Sequence, residues 1–176
     1  MATQGIDFSE LSAQDALDLA ILVEEEAEER YQEFAHQMEL HHTPDTAAFF
    51  RFMADNEARH REQLALRRAG EFGEVPRRVT RSMLWDVEAP DYDEARAFMS
   101  PRRAMEAALR CEQKAHAFFV DTLKSMRDPA VRSILEELRD EEVRHQDLVG
   151  RELEKLPPER EAEIDPESFT DEPTSQ

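Results

Sequence analysis

Residues 55–60 read DNEARH, and residues 140–145 read DEEVRH. Each stretch contains a Glu followed three residues later by a His, and side chains at that spacing are neighbours on one helix face. Apolar residues at helical spacing flank both pairs, so each pair is predicted to face the protein interior. The likeness of two stretches so far apart in the chain indicates an internal repeat of helical units.

The Glu-x-x-His pairs lie on the apolar faces of a predicted second and a predicted fourth helix. The second-helix face carries Phe49, Met53, Glu57, His60 and Leu64. The fourth-helix face carries Leu135, Leu138, Glu142, His145 and Val149.

Two further apolar stripes each contain a single Glu. The first comprises Leu17, Ala20, Glu24, Ala27, Tyr31, Phe34 and Met38. The other comprises Met105, Ala108, Glu112, Ala115, Phe119, Thr122 and Met126. Alternating steps of three and four residues mark one face of a helix. The first helix therefore aligns with the third and the second with the fourth, as in a duplicated hairpin.

Capping residues and prolines set the predicted helix ends. The first helix is predicted to begin at Ser12, which with Asp15 resembles a capping box. Three prolines suit the first position of the other helices, namely Pro44, Pro101 and Pro129. The second helix is predicted to stop near Gly70, and Pro157-Pro158 to end the fourth.

The lengths of the connections predict the topology. Short links follow the first and third helices, whereas residues 71–100 form a long crossover with a predicted short helix at 91–99. We therefore predict an all-α four-helix bundle over residues 1–156, with one long crossover between two helical hairpins. Trp85 is predicted to pin the crossover to the bundle or to a second subunit. Residues 157–176 are acidic and are predicted to be disordered.

Carboxylates and imidazoles within these stripes predict a site for two metal ions. An ionised carboxylate in an apolar interior is costly unless an opposite charge meets it. In the ferritin-like arrangement, two helices each supply a Glu and the other two each supply a Glu-x-x-His. The candidate ligands are Glu24, Glu57, His60, Glu112, Glu142 and His145. Such donors suit two iron ions, and manganese or zinc is also possible.

Two other Glu-x-x-His pairs are predicted to be solvated surface charge. Glu33 with His36 points away from the Glu24 face, and Glu39 with His42 lies at the end of the helix. The lone cysteine, Cys111, is predicted to be a small buried apolar residue.

Composition limits the kind of protein. The formal net charge of −19 argues against nucleic acid as a partner, because phosphates would be repelled. The sequence has no apolar run long enough to span a membrane, and its first residues lack the pattern of a secretory signal. A cytoplasmic location is therefore predicted.

At these residues the sequence resembles the rubrerythrin group of ferritin-like proteins. Glu24-x-x-Ala27-x-x-x-Tyr31 and residues 55–60 resemble the patterns of its first and second helices, and Glu112-x-x-Ala115 and residues 140–145 those of its third and fourth. The resemblance spans roughly residues 12–155. It implies a di-iron centre that reacts with dioxygen or hydrogen peroxide, with Tyr31 next to the ligands, where it would hydrogen-bond a ligand carboxylate.

The sequence departs from that group at two points. Typical rubrerythrins add a rubredoxin domain with paired Cys-x-x-Cys motifs, and this sequence has none, which implies an external electron donor. They also carry a further Glu one turn beyond the third-helix ligand, where this chain has Ala115. His116 and Glu28 are candidates to replace it.

Three functions remain open from the sequence. The leading one is a di-iron oxidoreductase that oxidises Fe(II) or reduces hydrogen peroxide or dioxygen, protecting against iron and peroxide stress. The second is iron binding or storage without catalytic turnover, and the third is a metal-free structural bundle. A homodimer or a higher homo-oligomer is predicted from the extended crossover and its apolar residues.

Overall fold

Four long helices make up the protein in this computed structural model, which describes residues 11–83 and 100–158. They are α1 (Ala13–Leu40), α2 (Pro44–Phe72), α3 (Pro101–Ser125) and α4 (Pro129–Lys155), with a 3₁₀ turn at Arg81–Met83. No strand occurs within the described ranges, and the predicted all-α bundle is confirmed. Among the helices in those ranges, none has the length and apolar character to cross a membrane.

The two hairpins are α1 with α2 and α3 with α4. Each pair packs along its length, and the hairpins meet mainly where α1 lies against α4. The crossover joins the hairpins, and its first residues lie against α1. The predicted helix at 91–99, Trp85 and most of the 157–176 tail lie outside the described residues.

Side-chain hydrogen bonds cap the starts of α1, α3 and α4. Ser12 and Asp15 form a reciprocal capping box at the start of α1, and the side chains of Ser100 and Asp128 accept backbone hydrogen bonds at the starts of α3 and α4. At α2 the Thr43 hydroxyl donates instead to the Met38 carbonyl oxygen, at 2.9 Å.

The end of α2 differs from the prediction. The helix continues through Gly70 and ends at Phe72, and Gly73 caps it with φ of 62°. That left-handed backbone conformation is one that glycine adopts without steric cost. Gly70 has ordinary helical backbone angles and does not end the helix. The helix ends at the glycine with positive φ, Gly73.

Every position of the predicted stripes on α1, α3 and α4 is buried. The stripe on α2 is shifted near its start, because Phe50 is fully buried while Phe49 is only half-buried. Phe50 and Phe49 lie three and four residues before Met53, and either spacing is compatible with one helix face. Packing of the Phe50 ring against Phe34, with centroids 5.2 Å apart, selects the step of three.

The interior contains two apolar clusters separated along the bundle. One includes Leu17, Phe119 and Leu135. The other includes Phe34, Phe50 and Met105. The predicted metal ligands belong to neither cluster. Along each helix, the predicted ligands fall between the residues of one cluster and those of the other.

A buried ion pair fastens the end of α2 to α1. Arg68 donates through Nε to Asp18 Oδ1 at 2.9 Å, and Asp18 is completely buried. The same guanidinium also donates to the carbonyl oxygens of Gly73 (2.6 Å) and Val75. These contacts fix the direction in which the chain leaves α2 towards the crossover.

Candidate metal centre

The structure brings all six predicted ligands into one layer of the bundle. Each contributes to at least one of three overlapping groups of three residues, within which possible ligand atoms lie no more than 4.8 Å apart. Five of the six are 6% exposed or less, and His60 is half-buried. The groups are Glu24, His60 and Glu141; Glu57, His60 and His145; and Glu112, Glu142 and His145.

The His60 ring nitrogen Nδ1 faces carboxylates from three helices. Its distances to the nearest carboxylate oxygens are 3.8 Å to Glu24, 3.9 Å to Glu57 and 3.9 Å to Glu141. These distances are too long for hydrogen bonds. Nδ1 is buried and has no hydrogen-bond partner among the described residues.

His145 occupies the other side of the layer. Its Nδ1 lies 3.3 Å from Glu57 Oε1 and 3.5 Å from Glu112 Oε2. The rings of His145 and His60 are nearly parallel, with an interplanar angle of 11° and centroids 5.4 Å apart. Since Glu57 contacts both imidazoles, its carboxylate lies between the two halves of the site.

Tyr31 lies beside this layer, as the resemblance implies. Its hydroxyl on α1 donates a short hydrogen bond to Glu112 Oε1 on α3, and its ring is fully buried. Burial and the negative charges of Glu112 and Glu57 raise the pKa of Tyr31 well above its usual value, so the phenol remains a donor.

The two histidines have opposite charge preferences. Burial and the neighbouring charge of His145 together lower the pKa of His60 to about 4. Burial also acts against charge on His145, but contact with Glu112 and the negative charge of Glu57 outweigh it and raise its pKa to about 9. In the metal-free protein, His60 is therefore neutral at pH 7 and His145 is protonated.

The two carboxyl groups near His145 also differ. Burial and the repulsion of Glu24 raise the pKa of Glu57 well above its usual value. Burial opposes ionisation of Glu112 as well, but contacts with His145 and Glu142 lower its pKa to about 2. Without metal, the surroundings thus favour ionisation of Glu112 and oppose ionisation of Glu57.

The residues predicted to lie outside the site do so. Glu33, His36, Glu39 and His42 are all exposed. Cys111 is buried, 3% exposed, as predicted. Neither candidate replacement for the carboxylate missing at Ala115 belongs to the ligand groups found among the described residues. Glu28 instead pairs with Arg61 at 3.1 Å, and His116 is half-buried on α3.

Sequence reasoning missed Glu141, which belongs to the group with Glu24 and His60. The available signal was its place directly before Glu142 in residues 140–145. Helical periodicity puts it about 100° away from Glu142, which is towards the edge of the stripe rather than its centre.

These residues fit a pair of transition-metal ions. Carboxylate and imidazole donors suit iron, manganese and zinc. Metal-to-ligand distances near 2.1 Å place donors on one ion about 3–4 Å apart. The spacings around both histidines fall in this range, and the buried Nδ1 of His60 lacks the hydrogen bond that a structural histidine would make.

Fold and site together define a ferritin-like four-helix bundle with a carboxylate–histidine layer. A family model described as Rubrerythrin matches residues 15–153. The chain therefore belongs to the rubrerythrin family, which implies a di-iron or other metal centre.

One solved structure similar to this chain is that of an uncharacterised conserved protein from Magnetospirillum magnetotacticum MS-1. Its sequence is 27% identical, and the match covers 86% of this chain and 99% of that one, with a TM-score of 0.70. The comparison with curated proteins gives no match.

Proposed function

We propose that the protein is a di-iron oxidoreductase that oxidises Fe(II) and reduces hydrogen peroxide or dioxygen, and so protects against iron and peroxide stress. The observation that carries this proposal is the pair of facing imidazoles, 5.4 Å apart, within a buried layer of glutamates from all four helices. Reduction of hydrogen peroxide to two waters needs two electrons and two protons. A pair of Fe(II) ions held by these residues would supply those two electrons on oxidation to Fe(III).

The ligand groups suggest how the residues divide between two ions. Glu24 and His60 would hold one ion, and Glu112, Glu142 and His145 the other. Glu57 contacts both histidines and would be shared between the two ions. A carboxylate shared in this way would hold the two ions close to each other.

The chain also supplies orientation and exclusion of water. The Tyr31 hydroxyl fixes one oxygen of Glu112 and leaves the other facing His145. The apolar clusters on either side of the layer keep bulk water away from the ligands along the bundle axis. On the His60 side, a cavity of about 200 Å³ between α2 and α4 gives small molecules access.

Rapid mixing tests the proposal. Metal-free protein is loaded anaerobically with two equivalents of Fe(II), mixed with hydrogen peroxide or air-saturated buffer, and followed by absorbance. The wild type is expected to show a fast oxidation phase that Glu57→Ala abolishes. Glu33→Ala is the matched control, because Glu33 belongs to an exposed Glu-x-x-His pair and should leave the phase intact. Identical traces for wild type and Glu57→Ala would overturn the proposal.

The same experiment separates turnover from storage. A catalytic centre is expected to oxidise further Fe(II) in repeated additions, or to consume peroxide when a reductant is supplied. A single round of oxidation, with the iron retained, would instead indicate binding or storage.

We further propose an external electron donor and a homo-oligomeric state. The sequence contains one cysteine, which cannot form a rubredoxin-type iron site on its own. Large apolar side chains are exposed on three of the described helices, including Phe52 and Leu66 on α2 and Val143 on α4. Sedimentation of the wild type beside Phe52→Glu tests the oligomer, which the charged variant is expected to weaken. A monomeric wild type would contradict it.

A further inference from the structure

We propose that Glu141 is an additional metal ligand, which completes the His60 side of the centre in place of the carboxylate that Ala115 does not supply. This inference rests on the proposed two-metal function and extends it by one residue. It assigns to α4 two neighbouring carboxylates, of which Glu142 serves the His145 side and Glu141 the His60 side.

The first argument is the geometry around His60. Its Nδ1 lies at nearly equal distances, 3.8–3.9 Å, from oxygens of Glu24, Glu57 and Glu141. A hydrogen bond would place one of these oxygens about 3 Å from Nδ1, and none of the three lies that close. These three similar separations lie within the range expected between donors on a common ion.

The second argument is the number of donors on each side. The His145 side has Glu112, Glu142 and His145 within 4.8 Å of one another. Without Glu141, the His60 side would have only His60, Glu24 and the shared Glu57. With Glu141, each side has one imidazole and two carboxylates of its own, besides the shared Glu57.

The third argument is charge. Two Fe(II) ions carry four positive charges, which the glutamates Glu24, Glu57, Glu112 and Glu142 balance. Oxidation to two Fe(III) ions adds two positive charges within a poorly solvated layer, where uncompensated charge is costly. A fifth carboxylate reduces that excess, so Glu141 should favour the oxidised pair.

The fourth argument is access. Glu141 is only 25% exposed at its side chain, and it lines the cavity between α2 and α4 together with His60. An ion that enters from solvent through this cavity meets Glu141 and His60 before the fully buried ligands. The residue is thus placed to capture the ion and then to hold it.

A cobalt titration tests the assignment with a readout other than turnover. Metal-free wild type, Glu141→Gln and Glu137→Gln are titrated anaerobically with Co(II), and both binding stoichiometry and visible absorption are recorded. Glu137 is the matched control because it lies one turn before Glu141, lines the same cavity and pairs with Arg67 rather than with His60. Both substitutions preserve shape and remove one negative charge.

The wild type and Glu137→Gln are expected to bind two Co(II) per chain with the same spectrum. Glu141→Gln is expected to bind the first ion normally and the second at least tenfold more weakly, with an altered absorption band for the second. Equal binding and equal spectra for Glu141→Gln and wild type would overturn the inference and leave the proposed function standing. Failure of the wild type to bind two ions would overturn the proposed function itself, and this inference with it.

Discussion

The hydroxyl of Tyr31 on α1 donates a hydrogen bond to Glu112 Oε1 on α3, and both residues are buried. This bond links the two hairpins at the level of the predicted metal layer. Because the acceptor is an ionised carboxylate, the bond is stronger than one between neutral groups.

Replacing Tyr31 with Phe tests that link. The ring keeps its packing against Phe50, but Glu112 Oε1 loses the hydroxyl that donates to it. We expect Tyr31→Phe to lower the free energy of unfolding of the metal-free protein by about 1.5–3 kcal/mol. Urea unfolding measures the change, and the double variant with Glu112→Gln should lose less than the sum of the two single changes. Strict additivity would show that the two side chains are not coupled.

Substitution of Glu57 should have opposite effects with and without metal. Its raised pKa means that the folded metal-free protein retains a proton that the unfolded chain loses above about pH 4.5. Stability therefore falls as pH rises past that value. At pH 7, Glu57→Gln is expected to stabilise the metal-free protein by about 1–3 kcal/mol.

The same variant should lose most of the stabilisation that metal provides, because it removes the shared ligand. Thermal unfolding with and without Co(II) measures both effects. The exposed control Glu33→Gln should change neither curve. A Glu57→Gln protein destabilised in both states would show that its carboxyl group has a structural role.

Metal uptake should release protons. His145 has a pKa of about 9 in the metal-free protein and is protonated at pH 7, but it must lose that proton to bind a metal. Affinity is therefore expected to increase with pH up to about 9 and to level off above it. Calorimetry in two buffers of different ionisation enthalpy counts the protons released. Equal heats in both buffers at pH 7 would contradict the assignment of a protonated His145.

The ion pair of Asp18 and Arg68 should be a major determinant of stability. Asp18→Ala leaves the Arg68 guanidinium, 8% exposed, without its carboxylate, and breaking such a pair costs about 3–5 kcal/mol. Asp140→Ala is the comparison, because Asp140 pairs with Arg139 on the surface and should cost about 1 kcal/mol at most. Chemical unfolding measures the free energy of unfolding of both variants. Equal decreases would show that other groups neutralise Arg68 when Asp18 is absent.

The sequence by itself determined the four helices and most of their inward faces. Positions repeating at steps of three and four must share one side of a helix, so Glu24 and Glu112 could be placed in the interior from spacing alone. The prolines at the helix starts and the capping box at Ser12 follow from backbone geometry that is local to the chain.

Where two residues of one helix were equally compatible with the interior, only the tertiary structure decided which of them is buried or joins the site. Phe50 rather than Phe49 is fully buried because Phe34 on α1 packs against its ring. Glu141 belongs to the layer because the packing of α4 against the other helices places its carboxylate 3.9 Å from His60 Nδ1 on α2. The two histidines occupy matching positions in the two Glu-x-x-His pairs but differ in charge. Of the two, only His145 contacts Glu112. Helical periodicity orients a side chain relative to its own axis, whereas its partners depend on how the axes are packed.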